Sequence, residues 1–172
     1  MKNKSANEIK KIIYDSFNVS ANFTRPANTT AYAQYDAMNN STSAPVVLTF
    51  SDVGAENGEN VLIQEVSIKT TNGASLLPDM NLWLFSESVT ATNDNSEMSL
   101  TDAHNLLILD VIPLTDSYKA ALNGIAKTHN ISSQIKLKST SKNIYGLLQA
   151  DAAYTPISEE VFTINISGMR LS

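Results

Sequence analysis

Two histidines, His104 and His129, are the first side chains to consider for metal binding or catalysis. They lie far apart in the chain, no His-x-x-x-His spacing occurs, and there is no cysteine to complete a zinc site. A Ser-His-Asp triad would need partners that the sequence does not bring near either histidine. No phosphate-binding glycine loop and no G-x-S-x-G motif is present. We therefore expect both histidines to lie in loops or on the surface.

Carboxylates cluster only in segments that are typical of loops. These are Asp52, Glu56 and Glu59, then Asp94 and Glu97, then Glu159 and Glu160. A glycosidase needs two carboxyl groups that face each other across a cleft, which sequence alone does not establish. Residues 92–97 offer oxygen ligands for calcium but lack the alternation and the terminal acid of an EF-hand loop, which favours a solvated loop. We predict no enzymatic activity, no catalytic residue, no metal ligand and no cofactor.

Aromatic residues are sparse, and Trp83 is the single tryptophan. Its apolar neighbours predict that it packs in the core or at a subunit contact. Tyr32, Tyr35 and Tyr154 fall in predicted loops, where a tyrosine can stack on a sugar or contact a protein partner.

Charge and composition exclude several classes of protein. The net charge is −5, and residues 12–172 carry eight basic and sixteen acidic residues. Such an acidic body predicts no direct nucleic-acid binding, which needs a basic surface. No run approaches the roughly 20 apolar residues of a membrane span, so we expect no membrane partner. Asn, Ser and Thr together supply 53 of the 172 residues, as is typical of strand faces and turns.

Short strands separated by turn-rich loops follow one another from residue 16 onward. Alternation predicts strands near residues 17–23, 46–50, 61–71, 81–86, 105–113, 134–139, 143–149 and 161–168. About eight strands with variable loops predict an all-β fold, a jelly-roll-like two-sheet β-sandwich, with an immunoglobulin-like sandwich as the alternative. Helical spacing of Tyr118, Leu122 and Ile125 predicts one helical insertion over residues 117–127.

The N-terminal residues have a different pattern. Ser5 and Glu8 have the spacing of a capping box, and Ile9, Ile12 and Ile13 share one helical face beside lysines. We divide the chain into a basic amphipathic arm, residues 1–15, and a β-sandwich domain, residues 16–172. The arm either orders on a partner or forms a single turn on its own domain or a frayed terminus.

A distinctive segment follows the first predicted strand. It contains Arg25, Pro26, Thr29, Thr30, Tyr32 and Asp36 in the pattern Arg-Pro-x-x-Thr-Thr-x-Tyr-x-x-x-Asp. This pattern resembles one in a family of head decoration or auxiliary capsid proteins of tailed bacteriophages. The resemblance extends loosely over residues 20–112, through residues 50–53, the strand from Val61 and residues 82–85. The family pattern usually has a glycine before the aspartate, where this chain has Tyr35.

The resemblance implies a structural virion protein on the capsid surface, assembled in the host cytoplasm, that binds major capsid subunits and forms a homo-oligomer, with a trimer as the expected state. The residues expected to contact a partner come from the arm and from the motif: Lys4, Lys10, Lys11, Ile12, Ile13, Arg25, Pro26, Thr29, Thr30, Tyr32, Tyr35 and Asp36. The alternative is a glycan- or receptor-binding β-sandwich module that uses exposed loop tyrosines.

Overall fold

The computed structural model describes residues 15–72, 76–119, 123–128 and 131–171. Within these ranges the regular secondary structure is almost entirely β. The elements are β1 (Ser16–Thr24), β2 (Ala37–Met38), β3 (Leu48–Phe50), β4 (Asn60–Thr70), β5 (Met80–Phe85), α1 (Asp102–Asn105), β6 (Ile108–Leu114), β7 (Asp116–Lys119), β8 (Gly124–Thr128), β9 (Ser133–Lys136), β10 (Ile144–Ala150) and β11 (Val161–Leu171). No helix in the described ranges is long and apolar enough to span a membrane.

The strands form two antiparallel sheets. The first has the order β1-β11-β4-β8-β7, and β9 also pairs with β4. The second has the order β2-β10-β5-β6, and β3 also pairs with β10. β8 pairs with the C-terminal half of β4 and β9 with its N-terminal half, so together they act as one interrupted strand.

The strand order is that of a jelly roll. The first strand pairs with the last, β1 with β11, and the next ones inward, β2 and β3, pair with β10. Further inward β4 pairs with β8 and β9, and β5 pairs with β6. These successive pairs alternate between the two sheets, as they do when a long antiparallel ladder wraps into a double-sheet jelly roll. The prediction of a jelly-roll-like two-sheet β-sandwich is confirmed.

Alternation of apolar and polar residues builds the core between the sheets. In β11, Phe162, Ile164 and Ile166 are fully buried, while the residues between them face outward and are only partly covered. They meet inward residues of the neighbouring strands, as in the stacking of Phe162 on Phe23 of β1. Burial of such a continuous apolar layer is the main stabilising term for a sandwich of this kind.

The second sheet is also covered on its outer face. The segment of residues 86–101, here called the strap, leaves β5 and runs along this face before α1. Val89 of the strap packs with Phe85 and Leu147, and a second apolar cluster forms around them. This cover explains why β10 is buried at almost every position and does not show simple alternation.

A close backbone approach occurs where β11 crosses β4. The register shifts between Ser167 and Gly168, which marks a β-bulge. A Cβ atom at Gly168 would lie 2.0 Å from the carbonyl oxygen of Leu62, so only glycine fits at this position.

The predicted helix over residues 117–127 is wrong. The described part of that segment forms β7 and β8, which pair with each other and bring Tyr118 opposite Ile125. The helical spacing of the apolar residues was coincidental, because pairing of β8 with β4 decides the local structure. Residues 1–14 of the predicted N-terminal arm lie outside the described residues, and its last residue, Asp15, forms an ion pair with Arg170.

Candidate functional site

The motif that begins at Arg25 leaves the end of β1 and turns into the protein. Arg25 is 2% exposed. Its Nε donates a hydrogen bond to Tyr32 Oη at 3.0 Å, and its Nη2 lies 3.5 Å from Asp94 Oδ2. The side chains of both Arg25 and Asp94 are fully buried. The motif therefore contains a buried ion pair, and its acid comes from the strap.

Tyr32 completes this buried cluster. Its hydroxyl donates to Asp94 Oδ1 at 2.6 Å, and the backbone N–H of Asn39 donates to the same oxygen at 2.9 Å. The Arg25 guanidinium lies 5.2 Å from the centre of the Tyr32 ring. Burial, together with the hydrogen bond to the Asp94 carboxylate, raises the pKa of Tyr32 well above its ordinary value. Tyr32 is thus held neutral as a hydrogen-bond donor.

A second buried acid, Glu160, lies next to this cluster. It is fully buried and accepts hydrogen bonds from Tyr154 Oη at 2.7 Å, from the N–H of Ile157 at 3.2 Å and from the Thr70 hydroxyl. Tyr154 stacks parallel to Tyr32, with ring centres 6.5 Å apart, and the two residues exchange backbone hydrogen bonds. The segments 25–36 and 151–160 and the strap are therefore joined at one end of the sandwich, here called the closed end.

The structure separates the predicted partner-binding residues of the motif into two groups. Arg25, Tyr32 and Asp36 are buried, and Pro26 is half-buried. Thr29, Thr30 and Tyr35 are exposed, so contact of these three with a partner stays a prediction. The arm residues Lys4, Lys10, Lys11, Ile12 and Ile13 lie outside the described residues.

Tyr35 stands at the position where the pattern that this motif resembles usually has glycine. Its φ is 75°, in the left-handed region where glycine is favoured. The backbone is held there by hydrogen bonds from Tyr35 N to the Ala150 carbonyl at 2.7 Å and from Met98 N to the Tyr35 carbonyl at 2.9 Å. Asp36 closes the turn by accepting from Ala33 N at 2.7 Å.

The prediction that Tyr32 and Tyr154 could stack on a sugar is wrong. Tyr32 and Tyr154 are 1% and 4% exposed, because their rings pack in the core and their hydroxyls bind buried acids. Tyr35 alone of the three is exposed. A loop position predicts an exposed backbone, but it does not imply an exposed side chain.

Of the residues considered for metal binding or catalysis, His104 and Asp94 have structural contacts. His104 lies in α1, where its backbone N–H and its ring take part in a capping box with Thr101. His129 lies outside the described residues. In the described part of the chain, no group of three or more His, Asp or Glu side chains is placed to hold a metal ion. Asp94, considered for calcium, has both carboxylate oxygens engaged at the closed end.

A polar pocket lies at the opposite end of the sandwich, here called the open end. Its walls come from three loops, residues 52–57, 86–88 and 138–143, together with Tyr145 of β10. Its volume is about 530 Å³. Two of its lining residues, Lys138 and Glu87, form an ion pair, and their side chains remain 41% and 43% exposed. Sequence reasoning missed this pocket because no motif links three loops that are distant in the chain.

Comparisons with known proteins give no family. No family model and no curated protein sequence matches the chain. Among solved structures, PRD1 vertex protein P5 is 10% identical, with 88% of this chain and 96% of that chain covered and a TM-score of 0.35. The structure of Tomato Aspermy Virus gives 11% identity, coverage of 100% and 82%, and a TM-score of 0.32.

A third similar structure contains the CBM22-1 and GH10 modules of xylanase 10B from Clostridium thermocellum, in complex with xylohexaose. The two chains are 11% identical. The match covers 92% of this chain and 28% of that chain, with a TM-score of 0.33. Identities and TM-scores this low support no conclusion about function. The class that the strand order itself defines is a jelly-roll β-sandwich protein.

Proposed function

We propose that this protein is a structural virion component of a tailed phage that decorates or cements the capsid by binding major capsid subunits. The observation that carries the proposal is the jelly-roll strand order, an architecture used by capsid proteins. The resemblance of the Arg25–Asp36 segment to decoration proteins supports the same role. Because one fold serves several functions, the assignment needs a test on particles.

The part of the first sheet's outer face that β1 and β11 form suits contact with a neighbouring subunit. Adjacent outward positions of β1 and β11 pair across the sheet as Asn18 with Ser167, Ser20 with Asn165 and Asn22 with Thr163. These side chains are small and uncharged, and interface centres are depleted in charged residues because charges are costly to desolvate. We propose that this face meets another virion subunit, together with the exposed Thr29, Thr30 and Tyr35 and the basic arm.

Oligomerisation belongs to the same proposal. A trimer that bridges capsid subunits would bury several interfaces at once, and stable contacts between proteins usually bury roughly 1,200–2,000 Å² each. Light scattering on the intact protein and on a variant without residues 1–15 tests this. A stable oligomer in both forms is expected if the sandwich assembles by itself, and a monomer in both would contradict bridging.

The decisive experiment measures copy number in particles. Particles from a host culture that carries the gene are purified on a density gradient, and quantitative mass spectrometry compares this protein with the major capsid subunit. Decoration predicts a fixed simple ratio, with many copies in each particle. Only a few copies would indicate a fibre, baseplate or portal role, and absence from the particles would contradict a virion role altogether.

A second candidate function, glycan or receptor binding, is favoured by one separate observation. Jelly rolls also occur in lectins, and the open end has a polar pocket of suitable size. The two functions are compatible on a virion surface, but they make different predictions, since only glycan binding depends on the pocket.

A further inference from the structure

The pocket at the open end is built from loops that are fixed to one another. Asn143 Oδ1 accepts from Asp52 N at 3.1 Å, which ties the loop before β10 to the loop after β3. Gly54 N donates to the Lys142 carbonyl at 3.1 Å between the same two loops. These hydrogen bonds hold the walls in place without a ligand, which lowers the ordering cost of binding.

The described residues of the lining are polar and together have no net formal charge. Hydroxyl groups come from Ser86, Ser88, Thr140 and Ser141. Two lysines, Lys138 and Lys142, balance two acids, Asp52 and Glu87. None of the described residues that line the pocket is an aliphatic hydrophobic residue. An apolar ligand would therefore leave many polar groups unsatisfied, and a multiply charged anion would meet two carboxylates.

Among the described residues that line the pocket, Tyr145 is the aromatic one. It lies on the outer side of β10 and is partly exposed, while it also packs against the apolar cluster under the strap. A ring fixed in this way offers a flat apolar surface next to amide and carboxylate groups. That combination matches a sugar ring, which presents apolar C–H faces and a rim of hydroxyl groups.

We propose that this pocket binds a neutral oligosaccharide, with one sugar ring on Tyr145 and its hydroxyl groups bonded to Asn57, Asn143 and the Glu87 carboxylate. The inference rests on the second candidate function, whose site and ligand class it names, and it does not depend on the virion role. It also moves sugar binding away from Tyr32 and Tyr154 at the closed end to the opposite end of the sandwich.

The experiment is an NMR titration of the ¹⁵N-labelled full chain with four neutral probes: maltohexaose, cellohexaose, mannohexaose and chitohexaose. At least one probe is expected to bind in the millimolar range or tighter and to shift the amide signals of residues 52–57, 86–88 and 138–145. Replacing Tyr145 with alanine should weaken binding about fivefold, since ring contacts contribute about 1 kcal/mol.

Two further variants keep the test decisive. Thr140→Trp fills the pocket from an exposed position and should abolish binding without disturbing the core, so it replaces Tyr145→Ala if that variant fails to fold. Tyr118→Ala removes an exposed tyrosine on β7, outside the pocket, and should bind as the unaltered protein does. The inference is overturned if no probe shifts any signal, if the shifts lie outside the pocket, or if Thr140→Trp binds normally.

Discussion

At the closed end of the sandwich Arg25, Asp94 and Glu160 lie inside the protein, whereas at the open end charged side chains line a pocket in contact with solvent. Arg25 and Asp94 are fully buried, while Lys138 and Glu87 form an ion pair that stays about two-fifths exposed. The first pair has several further hydrogen bonds that satisfy its polar atoms. The same kind of interaction therefore has different consequences at the two ends.

This difference shows that a recognisable sequence motif can serve the interior of the protein and need not mark its binding surface. The segment with the clearest pattern, Arg25 to Asp36, contributes its most characteristic side chains to the interior. Its role in the monomer is to hold loops and strap together. The residues best placed to bind a small ligand carry no motif and come from three separate loops.

Replacing Arg25 with methionine should give the largest effect on stability. The change leaves the Asp94 carboxylate buried without its cation, which typically costs about 3–5 kcal/mol. Urea unfolding followed by circular dichroism measures the loss. The matched control at the open end is Lys138→Met, which breaks the exposed pair with Glu87 and should cost no more than about 1 kcal/mol. Equal losses for the two variants would contradict the contrast between the ends.

Replacing Glu160 with glutamine should give the next largest effect. Glutamine has an NH₂ group in place of one carboxylate oxygen, and this group cannot accept a hydrogen bond. Either the Tyr154 hydroxyl, which binds one oxygen, or the Ile157 N–H, which binds the other, therefore loses its acceptor. We expect a loss of about 1–3 kcal/mol in the free energy of unfolding. Glu87→Gln at the open end is the control and should lie within about 0.5 kcal/mol of the unaltered protein. A neutral result for Glu160→Gln would show that its network is dispensable.

Tyr32 should make the protein less stable at alkaline pH. Its pKa is raised in the folded state, so above pH of about 10 the unfolded chain loses a proton that the folded chain keeps. Stability from this group is complete below that pH and then falls by up to about 1.4 kcal/mol per pH unit. The variant Tyr32→Phe should lack this pH-dependent part of the stability, because phenylalanine has no hydroxyl group to titrate.

Urea unfolding from pH 8 to pH 11 measures the alkaline loss of stability. For each protein the free energy of unfolding is compared with its own value at pH 8. The exposed Tyr118→Phe serves as the control and should keep the alkaline loss of the unaltered protein. If Tyr32→Phe loses stability with pH as steeply as the control does, the hydroxyl is not held as the structure describes.

Replacing Tyr35 with glycine should give the smallest effect, and it is a gain. The left-handed backbone costs a non-glycine residue about 1–2 kcal/mol, part of which is offset by the greater freedom of glycine in the unfolded chain. We expect a net stabilisation of about 0.5–1 kcal/mol in urea unfolding. Tyr35→Ala, which removes the same side chain but keeps the strain, should not stabilise. A gain from alanine equal to that from glycine would assign the effect to the side chain instead.

Sequence patterns predicted the strands well where one face is buried. The alternation of Phe162, Ile164 and Ile166 located β11, and the wrapped strand order agrees with the fold class drawn from strand number and loops. Prediction failed at β7 and β8, because a chance helical spacing competes with a sheet pairing that only the folded chain reveals. Local patterns carry no information on such distant pairing.

The candidate sites were predictable only in part. The motif was visible from residue types, but its burial depends on Asp94, which is distant in sequence and lies in a segment whose composition favours a solvated loop. The departure at Tyr35 was visible too, and the structure supplies its physical meaning in the positive φ. The open-end pocket was beyond sequence reasoning, since its loops meet only after the sheets have formed.

Hydrogen exchange of backbone amides tests the contrast between the two ends most directly. Arg25, Tyr32 and Asn39 donate their N–H groups to buried acceptors at the closed end, whereas Glu56 and Asn143 donate to side chains at the open end. We predict that the three closed-end amides exchange as slowly as those of β11, and at least about a thousandfold more slowly than the open-end pair. Similar exchange rates at both ends would contradict the account.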